Sequence, residues 1–133
     1  KRVNSGRYIF TSFTNSEQNQ LYVWTSDDGT NFSKWAGPVW SPPSGLLRDP
    51  SWILTSADLY LVSWIVLVLL KLRSYTTDWS GSNFGIAKST TMLNGTWNFV
   101  ANISTATGGF TPVNTWAPEF FKDPVSGKFG IVV

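Results

Sequence analysis

Arg48-Asp49-Pro50-Ser51, followed by Trp52-Ile53, and Trp116-Ala117-Pro118-Glu119, followed by Phe120-Phe121, decide the reading of the fold. The two prolines stand 68 positions apart, and the parallel extends outward from them. Phe84-Gly85-Ile86-Ala87-Lys88-Ser89 matches Leu21-Tyr22-Val23-Trp24-Thr25-Ser26 at an offset of 63. Asp28-Gly29-Thr30-Asn31-Phe32 is answered by Leu93-Asn94-Gly95-Thr96-Trp97-Asn98-Phe99. Ala57-Asp58-Leu59-Tyr60-Leu61-Val62 is answered by Gly127-Lys128-Phe129-Gly130-Ile131-Val132-Val133. A repeat of four short strands joined by turns is the signature of a propeller blade. A sandwich also has strands that look alike, but it does not demand one order of proline, aromatic, turn and strand at a fixed offset. The sequence therefore predicts an all-β fold, a partial β-propeller of about two blades of four-stranded antiparallel sheet. Blade-like units are placed at 8–62 and 75–133 within one incomplete domain, 1–133. The pattern runs twice in full and begins a third time, so the chain reads as a piece of a longer repeat protein.

Local chemistry supports short strands. Tyr8–Thr14 and Leu21–Ser26 are rich in aromatic and β-branched residues, and Asp28-Gly29 accepts the positive φ of a tight turn. Ser56-Ala57-Asp58 reads as a turn between Trp52-Ile53-Leu54 and Leu59–Val62. Gly37–Gly45 reads as a Pro/Ser loop without internal pairing. One segment resists the pattern. Ser63–Ser74 is largely apolar without alternation, and its removal would join Tyr60-Leu61-Val62 to Tyr75-Thr76-Thr77 as one strand. It is either a buried strand or helical turn, or a stretch foreign to the blade such as retained non-coding sequence.

Composition narrows the function classes. With 10 basic and 8 acidic residues the net charge is +2, and the basic residues are scattered. That pattern offers no basic stripe for nucleic acid. The longest apolar run, within 59–70, falls short of the roughly 20 residues of a membrane helix. The chain has no Cys and no His. This excludes, within the chain, a Ser-His-Asp triad, a thiol nucleophile and a His-based zinc site, and leaves carboxylates as the candidate catalysts. No cofactor and no metal site is read. Sequons at Asn31, Asn94 and Asn102 point to a secreted, extracellular protein, although a Ser/Thr/Asn-rich chain also produces them by accident.

Asp49 is the first candidate for chemistry. At the start of an inner strand it faces the central channel, with Pro50 fixing the backbone behind it and Arg48 beside it to orient the carboxylate or grip a hydroxyl. The plain alternative is an aspartate capping a turn with a surface arginine. Glu119 occupies the corresponding place one unit on. Two carboxylates flanking a bond suit glycoside hydrolysis, and the alternative for Glu119 is a hydrogen-bonding residue of the rim. Of eight tryptophans, most are assigned to the core. Trp79 and Trp116 are placed at the channel mouth, where indole rings suit the flat C–H faces of sugars.

Taken in order, Leu47-Arg48-Asp49-Pro50-Ser51, Tyr60-Leu61-Val62, Tyr75-Thr76-Thr77, Phe84–Ser89 and Trp116-Ala117-Pro118-Glu119 resemble the five-bladed propeller glycoside hydrolases of family 43. The resemblance covers nearly the whole chain except 63–74. It implies an arabinofuranosidase, arabinanase or xylosidase type of enzyme acting by inverting hydrolysis on arabinose- or xylose-containing plant polysaccharides. It implies Asp49 as the general base, with Trp116 and Glu119 as substrate or supporting residues. It also places the general acid and the pKa-modulating aspartate in later blades, so this chain alone is expected to be inactive. The implied partner is an oligo- or polysaccharide, with self-association through open blade edges. The alternative is a non-catalytic carbohydrate-binding propeller or interaction protein.

Overall fold

The computed structural model describes residues 8–61 and 64–133, with side chains described outside 54–72. Among the described residues nine strands form three antiparallel sheets. The first contains β1 (Tyr8–Thr14), β2 (Glu17–Ser26) and β3 (Ser33–Trp40). The second contains β4 (Arg48–Leu61), β5 (Trp64–Thr76), β6 (Asn83–Ser89) and β7 (Trp97–Ser104). The third contains β8 (Glu119–Lys122) and β9 (Phe129–Val132). Each sheet is a meander in chain order. The chain is thus all-β, with sheets of three, four and two strands rather than two sheets of four.

The sequence repeat reappears as backbone geometry. β1 pairs with β2 in the register Tyr8↔Ser26, and β5 pairs with β6 in the register Lys71↔Ser89, the same alignment shifted by 63 positions. The ladder β2–β3 slips between Val23 and Trp24, and β6–β7 slips between Ile86 and Ala87, again 63 positions on. After Ser26 the backbone N–H groups of Asp28 and Gly29 donate to its Oγ at 3.2 and 2.9 Å. After Ser89 those of Thr91 and Met92 do the same at 3.2 and 2.9 Å. Gly29 and Met92 both take positive φ, 77° and 69°. A hydroxyl that satisfies two turn N–H groups fixes the turn in either setting. Repeat and sheet are out of phase: β1, β2 and β3 correspond to the end of β5, β6 and β7, while β4 corresponds to β8.

Two local expectations are corrected. β4 continues through Ser56-Ala57-Asp58, where a turn was expected, because β5 supplies a full-length antiparallel partner from Arg48↔Thr76 to Leu61↔Trp64. Most of the non-alternating segment, from Trp64 on, is therefore strand; Val62 and Ser63 lie outside the described residues. β3 runs to Trp40, past Gly37 and the cis-linked Pro38, because a register irregularity absorbs the proline.

The core lies between the first two sheets. Leu21, Val23, Val39 and Leu47 meet Tyr75, Ala87, Met92 and Trp97 there. Trp40 packs edge-on to Tyr75 at 5.7 Å. Gly85 lies opposite Tyr75, and a Cβ at Gly85 would sit 2.1 Å from that ring. The glycine makes room for the aromatic, and a Phe121–Gly130 pair does likewise in the third sheet.

Candidate functional site

The site forms where the loops entering β4 and β8 meet the end of β5. Asp49 and Ala117, equivalent in the repeat, both stand before a proline with positive φ, 47° and 48°. A residue before proline ordinarily adopts extended backbone, so tertiary bonds must hold these turns. Thr11 Oγ1 donates to the Pro50 carbonyl at 3.1 Å, and Ser74 Oγ donates to the Pro118 carbonyl at 2.6 Å. Thr11 and Ser74 are themselves 63 positions apart. The same clamp thus holds both turns, but Glu119 does not take the place of Asp49 as expected: Ala117 stands there and Glu119 falls at the place of Ser51, one residue past the proline.

Asp49 Oδ2 accepts the hydroxyl of buried Thr76 at 3.1 Å. Thr76 Oγ1 in turn accepts the backbone N–H of Ala117 at 2.9 Å. This relay ties the Asp49 carboxylate to the second turn and leaves its Oδ1 without a bond among the described residues.

Two clefts meet at Asp49. The smaller, of about 290 Å³, is lined by Arg48, Asp49, Thr76, Asp78, Trp79 and Trp116, with Ala117 at its edge. Here the sequence-predicted Arg48, Asp49, Trp79 and Trp116 converge. The Arg48 guanidinium lies 3.9 Å from the centre of the Trp79 ring and 4.8 Å from that of Phe13, and Nη1 donates to Gln18 Oε1 at 3.2 Å. Trp116 Nε1 donates to the Trp79 carbonyl at 3.1 Å. Both indoles remain about half exposed. Arg48 thus covers one face of Trp79 and stiffens it, while Trp116 has its polar edge tied and its ring open. Asp78 Oδ1 accepts the N–H of Trp79 at 2.7 Å, which fixes the turn carrying that indole.

The larger cleft, of about 490 Å³, runs between β1 and the start of β4 and also touches Asp49. Glu119 lines this one, not the cleft of the two indoles. Sequence reading missed Thr76, which positions Asp49, and Asp78, which caps the Trp79 turn. Thr76 bonds a residue 27 positions away, beyond any local pattern. Among the described residues no three acidic side chains converge as a metal site would require.

No protein-family model, curated protein or solved structure matches the chain.

Proposed function

We propose that the smaller Asp49 cleft binds a sugar chain, and that the protein is the base-bearing part of a secreted propeller glycoside hydrolase acting on arabinose- or xylose-containing polysaccharide. The carrying observation is the convergence of one anchored carboxylate with two half-exposed indoles in a single cleft. An indole offers apolar area to a sugar ring, and polar groups beside it orient the hydroxyls. Asp49, with one oxygen tied to Thr76 and the other open, suits a group that accepts a proton from water attacking an anomeric carbon.

The propeller reading draws on the repeated register and on the adjacency of β4 with both β1 and β8. Secretion draws on the three sequon asparagines, all of them exposed. Glu119 lines the other cleft, so the chain by itself binds sugar without cleaving it. Incubation of the purified chain with arabinan and xylan tests this, and the expected result is no release of reducing sugar. Release abolished by both Asp49→Ala and Glu119→Ala would overturn it and make the two carboxylates a working pair.

The second reading is a non-catalytic carbohydrate-binding or interaction protein. One observation favours it: the left-handed turn under Asp49 recurs under Ala117. The strained backbone is therefore part of the repeat and is no sign of catalysis in itself.

A further inference from the structure

Taking the Asp49 cleft as a sugar site, the reading on which this rests, we propose that a third cleft beyond Asp78 is a second sugar subsite, and that the protein binds a run of linked sugar units rather than a single one. This cleft, of about 310 Å³, is lined by Ser44, Thr77, Asp78, Ser80, Asn83 and Asn102, with Gly45 and Gly81 in its walls. Asp78 also lines the cleft of the two indoles, so the two clefts adjoin at that residue. A sugar chain seated on Trp116 reaches the third cleft by passing over Asp78. The Asp78 carboxylate holds the Trp79 N–H through Oδ1, and its Oδ2 has no bond among the described residues.

The walls are fixed by bonds that spare the side chains a sugar would use. The Leu46 N–H donates to the Thr77 carbonyl at 2.8 Å, which lays the 44–46 loop against the end of β5. Gly45, with φ of 74°, permits that approach, since a Cβ there would lie 2.6 Å from the Thr77 carbonyl oxygen. Thr77 Oγ1 donates to the Asn83 carbonyl at 3.1 Å. The N–H groups of Gly81 and Thr105 donate to the carbonyls of Val113 and Ser82 at 2.6 and 2.7 Å. Ser44, Ser80, Asn83 and Asn102 are all exposed, and their hydroxyls and amides make no hydrogen bond among the described residues. A side-chain amide donates and accepts at once, as sugar hydroxyls require. The described lining of this cleft holds no aromatic ring, in contrast to that of the indole cleft. Ring faces therefore stack in the first cleft and hydroxyls are bonded in the second. Asn102 also heads a sequon. A glycan attached there would fill the third cleft, so the test uses the unglycosylated chain.

The test is calorimetric titration of arabino- and xylo-oligosaccharides of increasing length into that chain and into an Asn83→Ala/Asn102→Ala double variant. Affinity is expected to rise at least tenfold from disaccharide to tetrasaccharide in the parent chain. In the double variant the rise should fall below threefold, with disaccharide affinity unchanged, which also shows that the variant is folded. Asn102→Ala alone should remove part of the same gain, so the test stands if the double variant fails to fold. Disaccharide binding with no gain from length, or a gain that survives in both variants, would overturn the second subsite and leave the Asp49 cleft as a sugar site. A folded variant that loses the disaccharide as well would overturn the division into two subsites. No binding at any length would overturn both readings.

Discussion

Arg73 is fully buried, and none of its three guanidinium nitrogens has a hydrogen-bond partner among the described residues. The guanidinium lies over the Trp97 ring, 4.9 Å from its centre. The repeat explains the misfit. Arg73 stands where Phe10 stands in the first sheet, and Phe10 packs edge-on to Phe32 at 5.0 Å in the corresponding contact. A position shaped for an apolar side chain holds a charge. A cation–π contact is worth up to about 2 kcal/mol when desolvated, less than the cost of burying an unpaired charge. Arg73→Leu is therefore expected to raise stability by about 1–4 kcal/mol in urea melts. Burial pulls the Arg73 guanidinium down to about 9. Below that pH the folded state must carry the charge. Above it the folded state sheds the proton before the unfolded state does, and the penalty falls. The advantage of Arg73→Leu should be full at pH 7 and smaller at pH 10. Tyr75, pushed up to about 12 by burial, titrates in both proteins and largely cancels from the difference. A gap that stays constant or widens with pH would contradict this account.

At the scale of elements, the turn after Ser89 and the Tyr75–Gly85 pair offer the clearest tests. Ser89→Ala removes the acceptor for the N–H groups of Thr91 and Met92, and a loss of about 1 kcal/mol in a denaturant melt is expected. Gly85→Ala drives a methyl into the Tyr75 ring and should cost about 1–3 kcal/mol as an overpacking change. Much of this was legible in the sequence. The Asp28-Gly29 turn, the 63-position offset and the aromatic strands all appear as local pattern, and register follows from them. What stayed hidden rests on long-range bonds. Pro50 and Pro118 argue for extended backbone at Asp49 and Ala117, and only hydroxyls 39 and 44 positions away from the prolines show why the left-handed turn holds. Likewise Ser56-Ala57-Asp58 has turn chemistry, and a partner strand of matching length overrides it.

For the whole molecule, the repeat and its departures carry the functional account. Two units share register, slip, cap and clamp, and differ where the candidate chemistry lies. Asp49 is answered by Ala117, and Arg48 by Trp116. The positions 63 before Thr76 and Trp79 hold Phe13 and Ser16. Repetition in the sequence therefore revealed the scaffold, and loss of repetition marks the cleft. Sequence reading singled out Asp49, Arg48, Trp79 and Trp116 by residue type, and the structure brings these four to one cleft. It could not see that Glu119 would line a different cleft, because that depends on how β8 sits against β4. The most direct measurement is calorimetric titration of arabino- and xylo-oligosaccharides into the purified chain and its Trp116→Ala variant, with circular dichroism confirming that both are folded. Saturable binding by the parent chain, weakened at least tenfold in Trp116→Ala, is the expected result. A folded parent chain that binds neither sugar series, or a variant that binds as tightly as the parent, would contradict the assignment of the Asp49 cleft to carbohydrate.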